Sequence, residues 1–168
     1  MVESISATEG PLAVLDVPRD TVKRTIEMPL RKRIALIAHD NRKGDLLDWA
    51  RFNRGTLSQH HLYATGTSGA LVAHALDLDV HRFLSGPLGG DQQVGAGIAE
   101  ERLDMVVFFW DPLQPQPHDV DVKALLRIAV VHNCPMACNR ATADFLLSSP
   151  LMHEPYDRAI NGFARFAS

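Results

Sequence analysis

Three short polar segments of this 168-residue chain carry side chains that could do chemistry. Residues 65–69, Thr-Gly-Thr-Ser-Gly, combine hydroxyls with glycines, and such a segment at the start of a helix can hold an anion through its backbone N–H groups. The carboxylate of Asp91 follows two glycines, and His118 lies in a proline-rich stretch. A carboxylate can act as a base, and an imidazole can polarise a carbonyl oxygen. Together the segments indicate an anion-binding site with acid–base groups beside it.

The hydroxyl-rich segment also has an ordinary structural explanation. Thr or Ser at the N-cap position stabilises many helices without binding a ligand, so residues 65–68 fit a capped helix as well as they fit a phosphate cradle. Lys43 favours the cradle, because it lies one turn into a predicted helix and could supply a cation to the same anion. A lysine that is simply solvated at the surface is the alternative.

Asp91 and His118 have alternatives of their own when each is taken alone. An acidic residue at a helix N-terminus is common and mildly stabilising, and this position predicts a low pKa for Asp91 unless a partly apolar pocket raises it. His118 could be an exposed residue beside Asp119 or Asp121, either of which could cap the next helix. In the functional interpretation, a nearby carboxylate such as Asp121 fixes the tautomer of His118.

Apolar runs that alternate with helical periodicity predict the elements that position these segments. Predicted strands cover residues 33–38, 61–64, 80–84, 104–110 and 135–138, and predicted helices cover residues 46–53, 69–76, 92–101, 120–131 and 143–147. Short continuous apolar runs are typical of strands that are buried on both faces. The sequence therefore predicts a single doubly wound, flavodoxin-like α/β domain, whose five-stranded, mainly parallel sheet has helices on both faces.

In such sheets, ligands bind beyond the carboxyl ends of the strands. The segments that follow the apolar runs are polar, glycine-rich or ionisable. The candidate residues in them are His39, Asp40, Lys43, Thr65, Gly66, Thr67, Ser68, Ser85, Gly86, Asp91, Asp111, His118 and Asp121. The topology thus predicts that these residues share one site.

Composition limits the possible partners. The hydrophobic content of 46% suits one folded domain. The net charge is −3, and charges of both signs are spread along the chain, so there is no basic stripe that would bind nucleic acid or an anionic membrane. No apolar window approaches the ~20 residues that a membrane span needs. We expect a small-molecule partner, a mobile or loosely docked extension over residues 1–30, and a domain over residues 31–168.

Cys134 and Cys138 have no second cysteine pair to complete a zinc site. They are interpreted as reduced cysteines in a core strand, which fits a cytoplasmic protein. The histidines without convincing partners are interpreted as structural or surface residues; they are His60, His61, His74, His81, His132 and His153.

Several segments together resemble the methylglyoxal synthase family. They are residues 38–40, 63–69, 84–95 with the block Gly-Gly-Asp-Gln-Gln, 108–113, 117–127 and 139–145. The resemblance extends over residues 31–150 without an obvious gap, and the Gly-Gly-Asp-Gln-Gln block is more specific than a phosphate cradle alone. Ser68 departs from the family pattern, in which a second threonine is usual.

The resemblance implies a role for each candidate residue. Asp91 is expected to be the catalytic base, with Asp40, Asp111 and Asp121 as supporting acids of the same site. The substrate contacts it implies are His39, Lys43, Thr65, Gly66, Thr67, Ser68, Ser85, Gly86 and His118.

The activity implied is that of a carbon–oxygen lyase acting on a phosphate ester. Dihydroxyacetone phosphate would be converted into methylglyoxal and inorganic phosphate, a bypass of glycolysis, without a metal or an organic cofactor. The resemblance further implies a cytoplasmic homohexamer that inorganic phosphate, its product, also inhibits.

Two other functions fit the same predicted fold. A non-catalytic module that binds a phosphate effector, resembling the allosteric domain of carbamoyl phosphate synthetase, would need the cradle but not Asp91, His118 and Asp121 together. A phosphoacceptor receiver domain would use Asp111 as acceptor. The receiver domain needs an acidic pair after the first strand to hold magnesium, and residues 39–40 supply one acid.

Overall fold

The structure, a computed structural model, describes residues 24–160. Its main sheet contains the strands β2 (Arg33–Ala38), β3 (His61–Thr65), β4 (Val80–Phe83), β5 (Met105–Phe109) and β6 (Met136–Ala137), following a shorter first strand, β1 (Arg24–Met28). The strands of the main sheet are parallel and lie in the order β4-β3-β2-β5-β6. Each predicted strand is found within a residue or two of its expected position.

Helices connect the strands and cover both faces of the sheet. They are α1 (Lys43–Phe52), α2 (Arg54–Leu57), α3 (Gly66–Leu76), α4 (Gly90–Ala99), α5 (Asp119–Val131) and α6 (Arg140–Ser148), with short 3₁₀ turns at Asp40–Arg42, Gly86–Leu88 and Pro150–His153. Buried residues of α1, α2, α3 and α6 form a core on one face, and those of α4 and α5 form a core on the other. The predicted doubly wound α/β class is confirmed.

The central strand β2 explains why two cores form. Ile34, Leu36 and Ala38 point into the first core, while Ala35 and Ile37 point into the second. Because successive side chains of a strand face opposite sides, a continuous apolar run supplies both cores at once. The run that predicted a strand therefore also determined its central place in the sheet.

The strand order differs in one detail from the flavodoxin-like pattern. Numbered along the chain, the parallel strands lie in the order 3-2-1-4-5, whereas flavodoxin-like sheets have the order 2-1-3-4-5. The order reverses between β2 and β5, so this is the switch point at which the fold class predicts a ligand site.

A second sheet changes the expected start of the domain. β1 pairs antiparallel with β7 (Tyr156–Ile160). Ile26 and Met28 are buried in it, because alternate residues of a short strand face the protein. The predicted boundary at residue 31 was therefore too late for residues 24–30, and the part of the extension before residue 24 lies outside the described residues.

Buried cations tie this small sheet to the main one. The Lys32 ammonium donates hydrogen bonds to the carbonyls of Pro29 at 2.8 Å and Glu154 at 2.6 Å. Arg158 of β7 is fully buried and donates from Nη1 to the carbonyl of His132 at 2.8 Å. Backbone carbonyls thus satisfy the Lys32 ammonium, whose burial would otherwise be costly, whereas Nε and Nη2 of Arg158 are buried without a hydrogen-bond partner within residues 24–160.

The cysteines flank the short strand β6, and both are free thiols. Cys134 is buried, and its Sγ lies 3.4 Å from the carbonyl oxygen of Asp104. Burial raises the pKa of the Cys134 thiol to about 12, so this cysteine is an inert core residue. None of the helices within residues 24–160 combines the length and the apolar character that a membrane span requires.

We expect the core under α1 to depend on Trp49. Trp49 is fully buried, and its indole Nε1 donates a hydrogen bond to Asp144 of α6 at 2.9 Å. Trp49→Ala should lower the free energy of unfolding by about 3–5 kcal/mol, because it leaves a large cavity. Urea unfolding followed by circular dichroism measures this. Arg51→Ala, on the exposed side of α1, is the control and should change stability by less than ~0.5 kcal/mol; equal losses in the two variants would contradict the assignment.

Candidate active site

A pocket at the carboxyl edge of the parallel sheet brings most of the predicted site residues together. The predicted residues that line it are His39, Asp40, Lys43, Thr65, Gly66, Thr67, Ser68, Ser85, Gly86, Asp91 and His118. Asp111 and Asp121 are not among the lining residues. The pocket lies beside the switch point between β2 and β5, where the fold class predicted it.

The predicted phosphate cradle is the first turn of α3. β3 ends at Thr65 and α3 begins at Gly66, so no loop separates them. Gly66 has a φ of 51°, and a Cβ at this position would lie 2.9 Å from the Cα of Ser85, so glycine is required here. Thr65 and Ser68 are buried, and the Thr65 side chain makes no capping hydrogen bond. The capped-helix explanation is therefore wrong for Thr65, which lines the pocket.

Lys43 reaches the cradle from the start of α1. Its ammonium donates hydrogen bonds to Thr67 Oγ1 at 2.6 Å and to Asp40 Oδ1 at 2.5 Å. The hydrogen bond from Lys43 lowers the pKa of the largely exposed Asp40 carboxyl. Asp40 thus stays ionised and holds the Lys43 ammonium beside the Thr67 hydroxyl.

Asp91 and His118 face one another inside the pocket. Asp91 lies in the first turn of α4 and is 2% exposed, and His118 is the N-cap of α5 and is 8% exposed. His118 Nε2 is 3.6 Å from Asp91 Oδ2, slightly too long for a hydrogen bond. The alternative in which His118 is merely exposed is wrong, because its imidazole is buried next to the candidate base.

The electrostatics of Asp91 differ from the expectation for a helix N-terminus. Burial raises the pKa of the Asp91 carboxyl, and the charge of Asp121 adds to this, while His118 and His39 act in the opposite direction. Loss of hydration thus outweighs the effect of the helix end, which is the exception expected for a partly apolar pocket. A raised pKa makes the ionised carboxylate a stronger base.

A backbone hydrogen bond determines the tautomer of His39, which lines the pocket. Its Nδ1 accepts a hydrogen bond from the backbone N–H of Asp111 at 3.3 Å, so Nε2 must carry the proton of the neutral ring. That Nε2 is buried and has no hydrogen-bond partner within residues 24–160. Burial lowers the pKa of the His39 imidazole and so favours the neutral ring, which can donate a hydrogen bond only from Nε2.

Asp111 and Asp121, which do not line the pocket, make hydrogen bonds to other polar side chains. Asp111 Oδ2 accepts a hydrogen bond from Asn41 at 3.1 Å, and this bond lowers the pKa of the Asp111 carboxyl. Asp121 Oδ1 accepts a hydrogen bond from Gln92 Nε2 at 3.1 Å. The carboxylate next to the His118 imidazole is that of Asp91, so the expectation that Asp121 fixes the His118 tautomer receives no support from the geometry.

Two glycines are required by the close approach of the surrounding elements. A Cβ at Gly86 would lie 2.6 Å from His118 Nε2 and 3.3 Å from Asp91 Oδ2, inside the space between base and imidazole. A Cβ at Gly90 would lie 2.1 Å from the carbonyl oxygen of Leu84. Side chains at these positions would fill the pocket or push α4 away from the end of β4.

Sequence reasoning missed three polar side chains around the site. Gln116 lines the pocket from the proline-rich loop, while Asn41 and Gln92 hold the supporting acids. Asn41 is adjacent to His39-Asp40 and Gln92 to Asp91, so nearness to a candidate was an available signal. No group of three or more His, Cys, Asp or Glu side chains in residues 24–160 is arranged to hold a metal ion.

Comparisons with known proteins show which family the chain is similar to. The family model described as an MGS-like domain matches residues 45–138. A methylglyoxal synthase from Leptospira interrogans is 60% identical over 137 residues, covering 82% of this chain and 93% of that protein. One from Cellvibrio japonicus is 55% identical over 139 residues, covering 83% and 90%. The crystal structure of methylglyoxal synthase from Elizabethkingia anophelis superimposes with a TM-score of 0.81 at 51% identity, covering 85% of this chain and 94% of that one.

The tautomer of His39 can be measured directly. We expect the Nε2–H tautomer, neutral at the pH of about 6.5 where a free histidine is half protonated, because the Asp111 N–H occupies Nδ1 and burial disfavours the cation. Long-range ¹H–¹⁵N correlation spectra between about pH 5 and 8 distinguish the tautomers. The spectrum of His39→Asn assigns the signal, and an Nδ1–H pattern in the wild type would refute the arrangement.

Proposed function

The chain belongs to the methylglyoxal synthase family, and from this premise we propose that it converts dihydroxyacetone phosphate into methylglyoxal and inorganic phosphate. The enzyme is a lyase, and in finer detail we assign it as a carbon–oxygen lyase that acts on a phosphate ester. One observation carries the proposal most strongly: a buried carboxylate and an imidazole, Asp91 and His118, share a pocket with the cradle at the start of α3.

The first step is removal of a carbon-bound proton. The hydroxymethyl carbon of the substrate is next to the carbonyl, so its proton is acidic, and the Asp91 carboxylate takes it. The C–H electron pair forms a carbon–carbon double bond, and the carbonyl oxygen gains negative charge. Imidazole N–H groups of His118 and His39 stabilise this enediolate oxygen, a role supported by the position of both residues in the pocket lining.

The second step expels phosphate. A proton transfer within the enediolate moves the negative charge from the former carbonyl oxygen to the oxygen of the former hydroxymethyl carbon. The electron pair of that oxygen forms the aldehyde carbonyl, and the carbon–carbon double bond shifts to join the former carbonyl carbon to the phosphate-bearing carbon. The carbon–oxygen bond to phosphate breaks, and its electron pair leaves with the phosphate. Backbone N–H groups of the first turn of α3 and the Lys43 ammonium stabilise the departing anion. The enol that remains tautomerises to methylglyoxal.

The non-catalytic effector module is the less favoured alternative. A pocket that only binds phosphate needs the cradle and Lys43, but it has no use for a buried carboxylate that costs stability. The relatives named above are all synthases.

We propose in addition, from the family resemblance, that the enzyme is a homohexamer and that inorganic phosphate inhibits it by occupying the same cradle.

Turnover should depend on Asp91. Metal-stripped wild type incubated with dihydroxyacetone phosphate should release methylglyoxal and inorganic phosphate in equal amounts. Asp91→Asn should lower kcat by about 10³-fold or more, because the amide cannot accept the proton. It should still bind inorganic phosphate in calorimetric titrations, since the cradle is unchanged.

The control is Asp45→Asn, which removes an exposed acid of α1 outside the pocket. A folded wild type that binds phosphate but releases neither product would favour the effector module. Loss of phosphate binding in Asp91→Asn would show that Asp91 instead maintains the pocket.

Asp91→Asn should also stabilise the protein. A carboxyl whose folded pKa is raised binds more protons in the native than in the unfolded state, so its contribution to stability decreases as pH rises through the folded pKa. Asp91→Asn lacks this decrease. Urea midpoints of the two proteins at several pH values should therefore diverge in favour of Asp91→Asn as pH increases, and a less stable variant near neutral pH would contradict the burial argument.

A further inference from the structure

Gln92 and Gln93, the two glutamines that follow the base, form hydrogen bonds through opposite ends of their side-chain amides. Gln92 donates from Nε2 to Asp121 Oδ1 on α5 at 3.1 Å. Gln93 accepts, through Oε1, the backbone N–H of Leu84 at 2.8 Å. The partners determine which end of each amide is used, because a carboxylate only accepts and an N–H only donates.

The Gln93 contact leads to the cradle. The N–H of Leu84 donates to Gln93, and the carbonyl of Leu84 accepts a hydrogen bond from the N–H of Gly66 at 3.1 Å. The two residues after Leu84 are Ser85 and Gly86, both of which line the pocket. Gln93 therefore fixes the turn between β4 and α4, the helix carrying the base, and this turn contacts the cradle through Gly66.

The Gln92 contact leads to the other side of the base. α4 and α5 pack against each other, and His118 and Asp121 lie at the start of α5. The Asp121 charge is one of those that Asp91 experiences. Gln92 therefore holds a charge at a set place relative to Asp91, without entering the pocket itself.

We propose that Gln92 and Gln93 are positioning residues with separate tasks: Gln92 fixes the charge environment of the base through Asp121, and Gln93 fixes the phosphate cradle through Leu84. This inference rests on the proposed function for the base, whereas the phosphate cradle can be tested by binding alone.

Replacement by glutamate distinguishes the two tasks. Glutamate keeps an acceptor oxygen and loses the N–H donors. At position 93 it can still accept the Leu84 N–H. At position 92 it loses the bond to Asp121 and places a second carboxylate against it, which is unfavourable.

The experiment compares Gln92→Glu, Gln92→Met, Gln93→Glu and Gln93→Met with wild type. Inorganic phosphate is titrated calorimetrically, and kcat and KM for dihydroxyacetone phosphate are measured against pH at about 0.15 M ionic strength, where added surface charges are screened beyond ~8 Å. Gln59→Glu, the same change at an exposed glutamine before β3, is the matched control. Thermal unfolding of every variant reports whether it is folded.

For Gln93, we expect Gln93→Met to raise the Kd for phosphate and the KM roughly three- to tenfold, the range for loss of one neutral hydrogen bond. Gln93→Glu should recover most of that loss. Equal phosphate affinity in Gln93→Met and wild type would overturn this half of the proposal, and so would failure of Gln93→Glu to rescue.

For Gln92, we expect the acid limb of the kcat–pH profile to move to higher pH in Gln92→Glu. The titratable groups that face Asp91 are His118 and Asp121 on α5 and His39 after β2, and the substitution adds a negative charge to this set. Gln92→Met should lower kcat with a smaller displacement of the limb. Matching profiles for Gln92→Glu and Gln93→Glu would overturn the assignment of separate tasks.

Failure of the proposed function is distinguishable from failure of this inference. A wild type that makes no methylglyoxal refutes the function, and with it the task assigned to Gln92. The phosphate titrations of the Gln93 variants need no turnover and decide the task of Gln93 in either case.

Discussion

The burial of the Asp91 carboxylate beside His118 is the constraint on which the rest of the site depends. Asp91 Oδ2 has no hydrogen-bond partner in the described part of the chain, and a buried charge without such partners costs free energy. The surrounding structure must therefore hold it there. Gly86 and Gly90 allow the close approach of backbone that does so, and the packing of α4 against α5 fixes the two side chains relative to each other.

The switch point explains how groups from distant parts of the chain reach this carboxylate. The loop after β2 leads to α1 on one face of the sheet, and the loop after β5 leads to α5 on the other face. His39 follows β2 and His118 begins α5, so their rings meet edge to face across the crevice at 5.8 Å between centroids. A sheet without this reversal would carry both helices to one face and would open no crevice between them.

Much of this could be predicted from the sequence, because the relevant signals are local. The apolar run of β2 predicted a buried strand, and the hydroxyl–glycine segment at the start of α3 predicted a cradle. The pairing of β1 with β7 could not be predicted in the same way, because it joins residues at opposite ends of the domain. The direction of the Asp91 pKa shift could not be decided from the sequence for a related reason: a helix position can be predicted from local sequence, whereas loss of hydration depends on everything that packs around the residue.

The pocket contains two carboxylates whose environments separate their roles. Asp40 is largely exposed and paired with Lys43, which lowers its pKa, whereas Asp91 is buried, which raises its pKa. A carboxylate that stays ionised beside a lysine is a poor proton acceptor but keeps the ammonium in place for an anion. A buried carboxylate is the stronger base. Two residues of the same type can therefore serve the two steps of the proposed reaction, Asp91 by removing the proton and Asp40 by keeping Lys43 at the departing phosphate.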